Sequence, residues 1–366
     1  MNDLSFFVSV ISLLYQTVNK RYYDIILPKE DRVMSDDRKC PACSGTMVFD
    51  PDWNRLVCQF CGFKEEIPEL VSKVSITEAD LDPARNVASR DWGMEYQIVS
   101  CRQCGARTLN DKLQLSGRCP FCGSTTVVPV ETNGDIIAPM GVIPFSISTK
   151  RATSIFREWI GNRSLAPEKL SRNANLNEFT GIYLPYFTFD ADSVTDFDGM
   201  FGYTAGEGLN WHRRAGQFSM FIDDFPVVAS RKLLEDRLLV SAASYRTREA
   251  KPYTPSALAG FPAEQYSMGL AQAWDKAKCD VVGYLKDAIK KNESAYMQKD
   301  MHVSTVYANI KYKYLLAPMW INSFTYDNRL YTIVINGQTG EISGQWPKSF
   351  GMFMKRAAEI FFPFRS

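Results

Sequence analysis

Apolar and polar positions alternate with different periods along the chain, and the periods predict its elements. Between Ser148 and Ile160 the apolar residues Ala152, Ile155, Phe156 and Trp159 recur at helical spacing, which predicts an amphipathic helix. Gly181–Asp190 (GIYLPYFTFD) and Gln217–Ser230 are rich in aromatic and β-branched residues and predict strands. A long helix is predicted over Glu264–Lys291, with an apolar stripe through Tyr266, Leu270, Trp274, Ala277, Val281, Leu285 and Ile289. Val306, Ala308, Ile310, Tyr312 and Tyr314 alternate with Thr305, Tyr307, Asn309, Lys311 and Lys313, which predicts a half-buried strand. Tyr331–Ile335 and Glu341–Ser343 flank a glycine-bearing loop, Asn336–Gly340, and predict a β-hairpin. A further helix is predicted near Thr77–Asp91, opened by Thr77 with acidic residues in its first turn. Tyr183–Phe187 and Leu316–Trp320 echo each other around a central proline, each followed by an aromatic-Asp pair (Phe189-Asp190, Tyr326-Asp327), a weak sign of internal duplication.

The two ends read differently. The apolar run Phe6–Tyr15 is too short to span a bilayer, and no basic segment or small-residue cleavage site makes it a signal peptide. Residues 1–33 are read as a translated leader ahead of a start at Met34, because Lys29–Met34 can be encoded by a string containing a bacterial ribosome-binding site; the alternative is a short amphipathic helix. In Lys348–Ser366, Phe350, Phe353, Met354, Ala357 and Phe361 share one helical face, opposite Lys355, Arg356 and Glu359. That tail packs on the protein's own core or lies in a membrane interface, with Phe350, Phe353, Met354 and Phe361 as the lipid contacts.

The 366 residues suffice for two or three domains, and 45% hydrophobic with 13% aromatic residues excludes a mostly disordered chain. A net charge of +1 excludes a globally basic nucleic-acid binder, though not a local patch. Of the nine cysteines, eight form four Cys-x-x-Cys pairs. Cys40, Cys43, Cys58 and Cys61 repeat the spacing of Cys101, Cys104, Cys119 and Cys122. Two such knuckles joined by a hairpin close a tetrahedral four-thiolate site suited to Zn²⁺. Thr46–Phe49 and Arg55–Val57 supply strands around an Asp50-Pro51-Asp52 turn, and Gly62, Gly105 and Gly123 follow second cysteines of knuckles. Disulfides, redox thiols and iron–sulfur ligation compete with this reading, but paired ribbon spacing without a secretory context favours two structural zinc ions. Four protein ligands leave no open position for catalysis at the metal. Cys279 reads as an ordinary helical residue.

The expected organisation is therefore α+β: a first zinc ribbon at 34–68, a helical linker at 69–97, a second ribbon at 98–130, an aromatic-rich domain at 140–347 and the tail at 348–366. The first ribbon is acidic, with Asp36, Asp37, Asp50, Asp52, Glu65 and Glu66. The second carries Arg102, Arg107, Lys112 and Arg118, a basic face that touches nucleic acid or offsets the charge of a Zn(Cys)4 centre. No phosphate-binding loop, GxGxxG, GxSxG or HExxH is present. His212, in Trp211-His212-Arg213-Arg214, reads as a solvated loop, and so does the acidic run Asp190, Asp192, Asp196 and Asp198, which lacks the glycine and glutamate of a calcium loop.

Taken together, the two ribbons, Ile143-Pro144-Phe145, GIYLPYFTFDAD (181–192), Val228–Leu233, Leu258–Glu264 and YTIVINGQTGEISGQWPKS (331–349) resemble the bacterial transcription-factor-IIB-type zinc-ribbon proteins. These are often labelled as similar to primosomal protein N′ (replication factor Y) or superfamily II helicases. The resemblance covers about residues 38–349. It implies a scaffold or adaptor for protein partners, among them phage-shock-type or band-7-type membrane-associated proteins, in the bacterial cytoplasm or at the membrane surface. Helicase activity is not expected without a phosphate loop. The expected function is a non-enzymatic two-zinc adaptor; the alternative is a nucleic-acid-binding protein of replication or transcription.

Overall fold

The computed structural model describes residues 39–71, 74–82, 88–111, 117–131, 136–163, 166–167, 179–206, 208–230, 242 and 244–348. The proposed leader at 1–33, Lys112, and the tail residues Phe350, Phe353, Met354 and Phe361 lie outside them.

The chain runs through β1 (Met47–Asp50), β2 (Arg55–Cys58), β3 (Lys64–Glu66), the single helical turn α1 (Pro68–Val71), β4 (Ala79–Asp80), β5 (Tyr96–Cys101), β6 (Arg107–Asp111), β7 (Val127–Val130), β8 (Gly141–Val142) and α2 (Thr149–Gly161). It continues through β9 (Thr180–Ala205), β10 (Gly208–Val228), β11 (Lys251–Pro252), β12 (Ala263–Glu264), α3 (Leu270–Asn292), β13 (Met297–Tyr326), β14 (Arg329–Asn336) and β15 (Ile342–Gly344). This is a mixed α+β fold with many strands and few helices. β1, β2 and β3 form a separate three-stranded sheet. The others build a 12-stranded sheet along the path β11-β8-β13-β9-β12-β6-β5-β7, with β10 on β9, β4 and β14 on β13, and β15 on β14.

Three strands dominate. β13 has 30 residues, β9 has 26 and β10 has 21. At about 3.3 Å per residue, β13 follows a path of about 100 Å. Its C-terminal half lies in the core, where Leu315–Phe324 are all buried. Its N-terminal half joins β9 beyond Ala191 and β10 up to Ile222 in an arm covered on one side by α3. Val281, Leu285 and Ile289 of the helix meet Ile222, Phe197, Phe201 and Met301 of the arm.

The core is aromatic where β9, β13 and the β14–β15 turn converge. Phe145 stacks on Phe261 at 4.5 Å between ring centroids and meets Trp320 at 4.8 Å and Tyr183 at 5.2 Å. The Asn336–Gly340 turn locks against this cluster. Asn336 Oδ1 accepts the N–H groups of Gln338 and Thr339, while its amide donates to the carbonyls of Ala242 and Ser244. A Cβ on Gly337 would stand 2.6 Å from the Phe145 ring, so only glycine fits there. The echoing segments face each other in the sheet: Leu316 opposes Pro185 and Pro318 opposes Tyr183 in antiparallel register. The carbonyls of Pro185 and Pro318 accept from Ala229 and Gly337 respectively.

The helix over Thr149–Gly161 and the β14–β15 hairpin form as the pattern predicts, and Ser148 caps the former by accepting from the Arg151 N–H. Four expectations change. The described residues of Thr77–Asp91 are not helical; Ala79–Asp80 instead pairs with Tyr312 and Lys311 of β13. The long helix starts at Leu270, because Ala263–Glu264 is drawn into the sheet between β6 and β9. The alternation at 305–314 does not hold one phase: Val306 is 71% exposed while Tyr312 and Tyr314 are buried. A bulge between Ala308 and Lys311, with Asn309 at φ 50°, inserts a residue and reverses the facing of 302–308 before it. Finally, His212 and the acidic run Asp190–Asp198 sit in paired strands β10 and β9, not in solvated loops.

Candidate metal centres

Each cysteine pair sits on a tight turn built in the same way. The carbonyls of Cys40, Cys58, Cys101 and Cys119 accept from the N–H groups of Ser44, Gly62, Gly105 and Gly123, four residues on. The donors have φ of 58°, 75°, 73° and 71°, the left-handed region that glycine enters at no cost. The N–H groups of Cys40, Cys58, Cys101 and Cys119 close the other side of each turn on Gly45, Phe63, Ala106 and Ser124.

The two cysteine groups each gather four sulfurs within 4.8 Å of one another. In the first, Cys40 Sγ lies 3.4 Å from Cys61 Sγ and Cys43 Sγ 3.5 Å from Cys58 Sγ. In the second, Cys101–Cys122 and Cys104–Cys119 both stand at 3.6 Å. A tetrahedron with metal–sulfur bonds near 2.3 Å places its sulfurs about 3.8 Å apart. The donor set and its spacing therefore fit a tetrahedral metal ion in both groups. The distances far exceed a disulfide bond of about 2.05 Å, and all the described cysteines are free.

In each group one thiol is drawn down while two of its neighbours are pushed up. In the first group the Cys61 N–H, helped by Phe60 N–H and the Cys43 thiol, pulls Cys58 down to about 6, whereas Cys61 is pushed up to about 12, with the Cys40 and Cys43 thiols and burial raising it against the Phe63 N–H. In the second, the Cys119 thiol and the Ala106 N–H pull Cys104 down to about 5, and burial pushes Cys122 up to about 11. Each group thus holds a preformed thiolate that accepts from neighbouring thiols.

The sequence-predicted basic residues scatter around the second group. Arg102 follows Cys101, Arg107 opens β6 and Arg118 precedes Cys119; all three are exposed. The structure also exposes what the pattern of apolar residues concealed. Around the first group, Phe60 is 79%, Trp53 59% and Phe63 37% exposed. The Phe60 ring lies over Gly45, where a Cβ would come within 2.5 Å of it, and the Lys64 ammonium sits 3.6 Å from the centre of the Trp53 ring. These positions were visible as apolar residues inside a metal knuckle too small to bury them.

A curated protein of Bacillus subtilis (strain 168), "Uncharacterized protein YdjG", is 30% identical over 326 residues, which span 86% of this chain and 90% of that protein. The chain belongs to the YdjG family. The match takes in most of the chain. No protein-family model matches the chain, and no solved structure does. Among the described residues no helix is long and apolar enough to cross a membrane.

Proposed function

We propose that this YdjG-family chain is a non-enzymatic adaptor whose two cysteine groups are zinc ribbons of the transcription-factor-IIB type. Zinc is favoured over softer or redox-active metals because four thiolates in a tetrahedral array satisfy its preferences completely, and no coordination position is left for chemistry. The ions are structural: each holds a unit of a few short strands that has little core of its own. The observation that carries the adaptor reading is the aromatic surface on the first unit. Three large apolar side chains are exposed to solvent there, Trp53 on the β1–β2 turn and Phe60 and Phe63 at the second cysteine turn. Such a patch on a stable element marks a contact with another protein. The partners are membrane-associated proteins of the phage-shock or band-7 type, met in the bacterial cytoplasm or at the membrane surface.

Titrating the purified chain with such a protein tests this. Phe60→Ser and Trp53→Ser are expected to weaken binding at least tenfold with zinc content unchanged. Binding that ignores both substitutions removes the reading. The exposed Arg102, Arg107 and Arg118 favour a second reading, nucleic-acid binding. It predicts an affinity for DNA that falls steeply with salt and drops when these arginines become alanine.

A further inference from the structure

Among the described residues, only one face of the arm is covered. Along β9 the side chains from Ala191 to Gly199 alternate strictly between buried and exposed or half-exposed. The buried set faces α3. The other set, Asp192, Val194, Asp196 and Asp198, looks away from it, and no described element packs there. Across the strands Val194 lies opposite Val306 and Ser219, and Asp192 lies opposite Phe221 and Ala308. Val306 is 71%, Phe221 55% and Val194 40% exposed, an apolar centre in solvent.

The rim of this face is anionic. Arg213 grips Asp198 with two hydrogen bonds of 2.6 and 2.9 Å, but Asp196 is met only by the amide of Gln217 and Asp192 only by that of Asn309. Arg213 and, beyond it, Lys299 opposite Met200 stand against three carboxylates, with His302 opposite Asp198. The carboxylates thus keep an excess of one over the cationic side chains, and Asp192 and Asp196 around the apolar centre are met by amides. Bulges at Asp300 and Asn309 fix where the face begins and ends on β13: each carries a left-handed residue, and the second turns Val306 outward. A sheet covered by one amphipathic helix on its inner face offers a second helix the same kind of bed on the outer face.

We propose that this outer face docks a basic amphipathic helix of another chain, its apolar stripe on Val194, Phe221 and Val306 and its Lys/Arg flank on Asp192 and Asp196. The charge of the face selects the occupant: an acidic helix or an anionic lipid surface would be repelled. This deepens the adaptor reading by adding a second surface, remote from the aromatic knuckle of the first metal unit.

The test uses the full chain and a labelled 18-residue Leu–Lys amphipathic peptide, with a Leu–Glu peptide of the same pattern as its counterpart. The Leu–Lys peptide is expected to bind and the Leu–Glu peptide not to. Val306→Lys and Asp196→Lys, both at exposed positions, are each expected to weaken binding at least tenfold, with the thermal transition unchanged. Phe60→Ser is expected to leave this binding intact, which separates failure here from failure of the knuckle surface. The proposal is overturned if the peptide does not bind, if both variants bind within twofold of the natural chain, if the Leu–Glu peptide binds equally well, or if phosphatidylglycerol vesicles bind through the same residues.

Discussion

The two cysteine groups share one ligand spacing and one turn geometry, yet they are tied to the molecule in opposite ways. The first is a separate sheet packed on the body, and its buried Met47, Phe49, Leu56, Ile67 and Leu70 join the main core. Its three strands form their own sheet, and its joint to the body is packing plus a backbone hydrogen bond: Phe49 packs edge-on against Phe261 at 6.5 Å, its N–H donates to the Ala259 carbonyl, and Val48 fits against Gly260. The second is continuous with the body. β12 pairs with β6 on one side and meets β9 at Tyr183 on the other, so the strands of the second unit are part of the main sheet that holds the core half of β9. A duplicated cysteine module stands on its own sheet in one copy and is built in as a sheet edge in the other. The same four ligands would therefore carry different loads: a metal in the first group would brace a separate small sheet, one in the second the edge of the main sheet.

The largest effects should expose that difference. Cys104→Ser opens the second group and is expected to cost on the order of 5 kcal/mol, lowering the main calorimetric transition, because the metal fastens strands of the central sheet. Cys43→Ser is expected to leave that transition in place and to unfold only the first unit, seen as fast amide exchange confined to residues 39–71. Equal loss of the main transition in both variants would end the comparison. Metal analysis supports it independently, with two zinc ions in the natural chain and one in each variant.

Next in size is the joint itself. Phe49 is buried at 3% exposure between the first unit and the aromatic core. Phe49→Ala is expected to cost about 3 kcal/mol, the usual range for a buried phenylalanine. The two zinc ions should remain. Exchange should quicken along β1 and β2 and at Phe261, and β5 and β6 should be untouched. Protection lost at β5 would mean that the two units are coupled through the core.

These contrasts also show what could be read from the sequence. Both metal groups were legible because a knuckle is local: four residues and one left-handed donor determine it wherever it stands. The aromatic blocks around Tyr183 and Asn336 were legible as strand and turn for the same reason. The arm was not. Its strands carry Asp192, Asp196, Asp198, His212 and Arg213; β9 and β10 pair as a local hairpin, but β9 is held on its other side by β13, with Thr195 meeting Thr305 across 110 residues of sequence. Ala79–Asp80 has the look of a helix start, and Ala263–Glu264 continues a helical stripe; both became strands because an open sheet edge competed for their backbone groups. Asn309 hid a phase reversal, since one inserted residue leaves the alternation intact on either side of itself. Joints between modules leave still less trace, which is why the different attachment of two identical cysteine patterns appears only in three dimensions.

Acid should empty both centres. A thiol held below its ordinary value contributes above that ordinary value, and its contribution is lost as pH falls through the depressed one. Cys58 is drawn down to about 6 and Cys104 to about 5. Protons are therefore expected to displace the metal from both groups on acidification. A chromogenic chelator followed through an acid titration should report two zinc ions released from the natural chain and one from Cys43→Ser. Metal retained by both groups in strong acid would show that these thiols are not its anchors.

The smallest effect concerns a single residue that departs from the common turn. Of the four left-handed donors three are glycine, and the fourth, Ser44, holds φ 58° with a side chain. An L-residue with a Cβ pays about 1 kcal/mol for that conformation. Gly45 follows immediately and is itself blocked by the Phe60 ring, so the strain cannot be relieved by shifting the turn one residue along. Ser44→Gly is expected to stabilise the first unit by up to about 1 kcal/mol, reduced by the extra freedom glycine gives the unfolded chain. The mirror substitution, Gly105→Ala, puts a Cβ into the same conformation in the second group, where nothing lies within 4 Å to obstruct it, so its cost should be the backbone strain alone. Slower amide exchange at Cys40 and Gly45 in the first variant, and a fall of similar size in the stability of the main transition in the second, would show that the two turns are energetically equivalent and that the difference between the centres lies wholly in their attachment. If Ser44→Gly instead loosens the first unit, the serine contributes an interaction that its glycine counterparts do without, and the knuckle that carries the exposed aromatics is specialised in its own right.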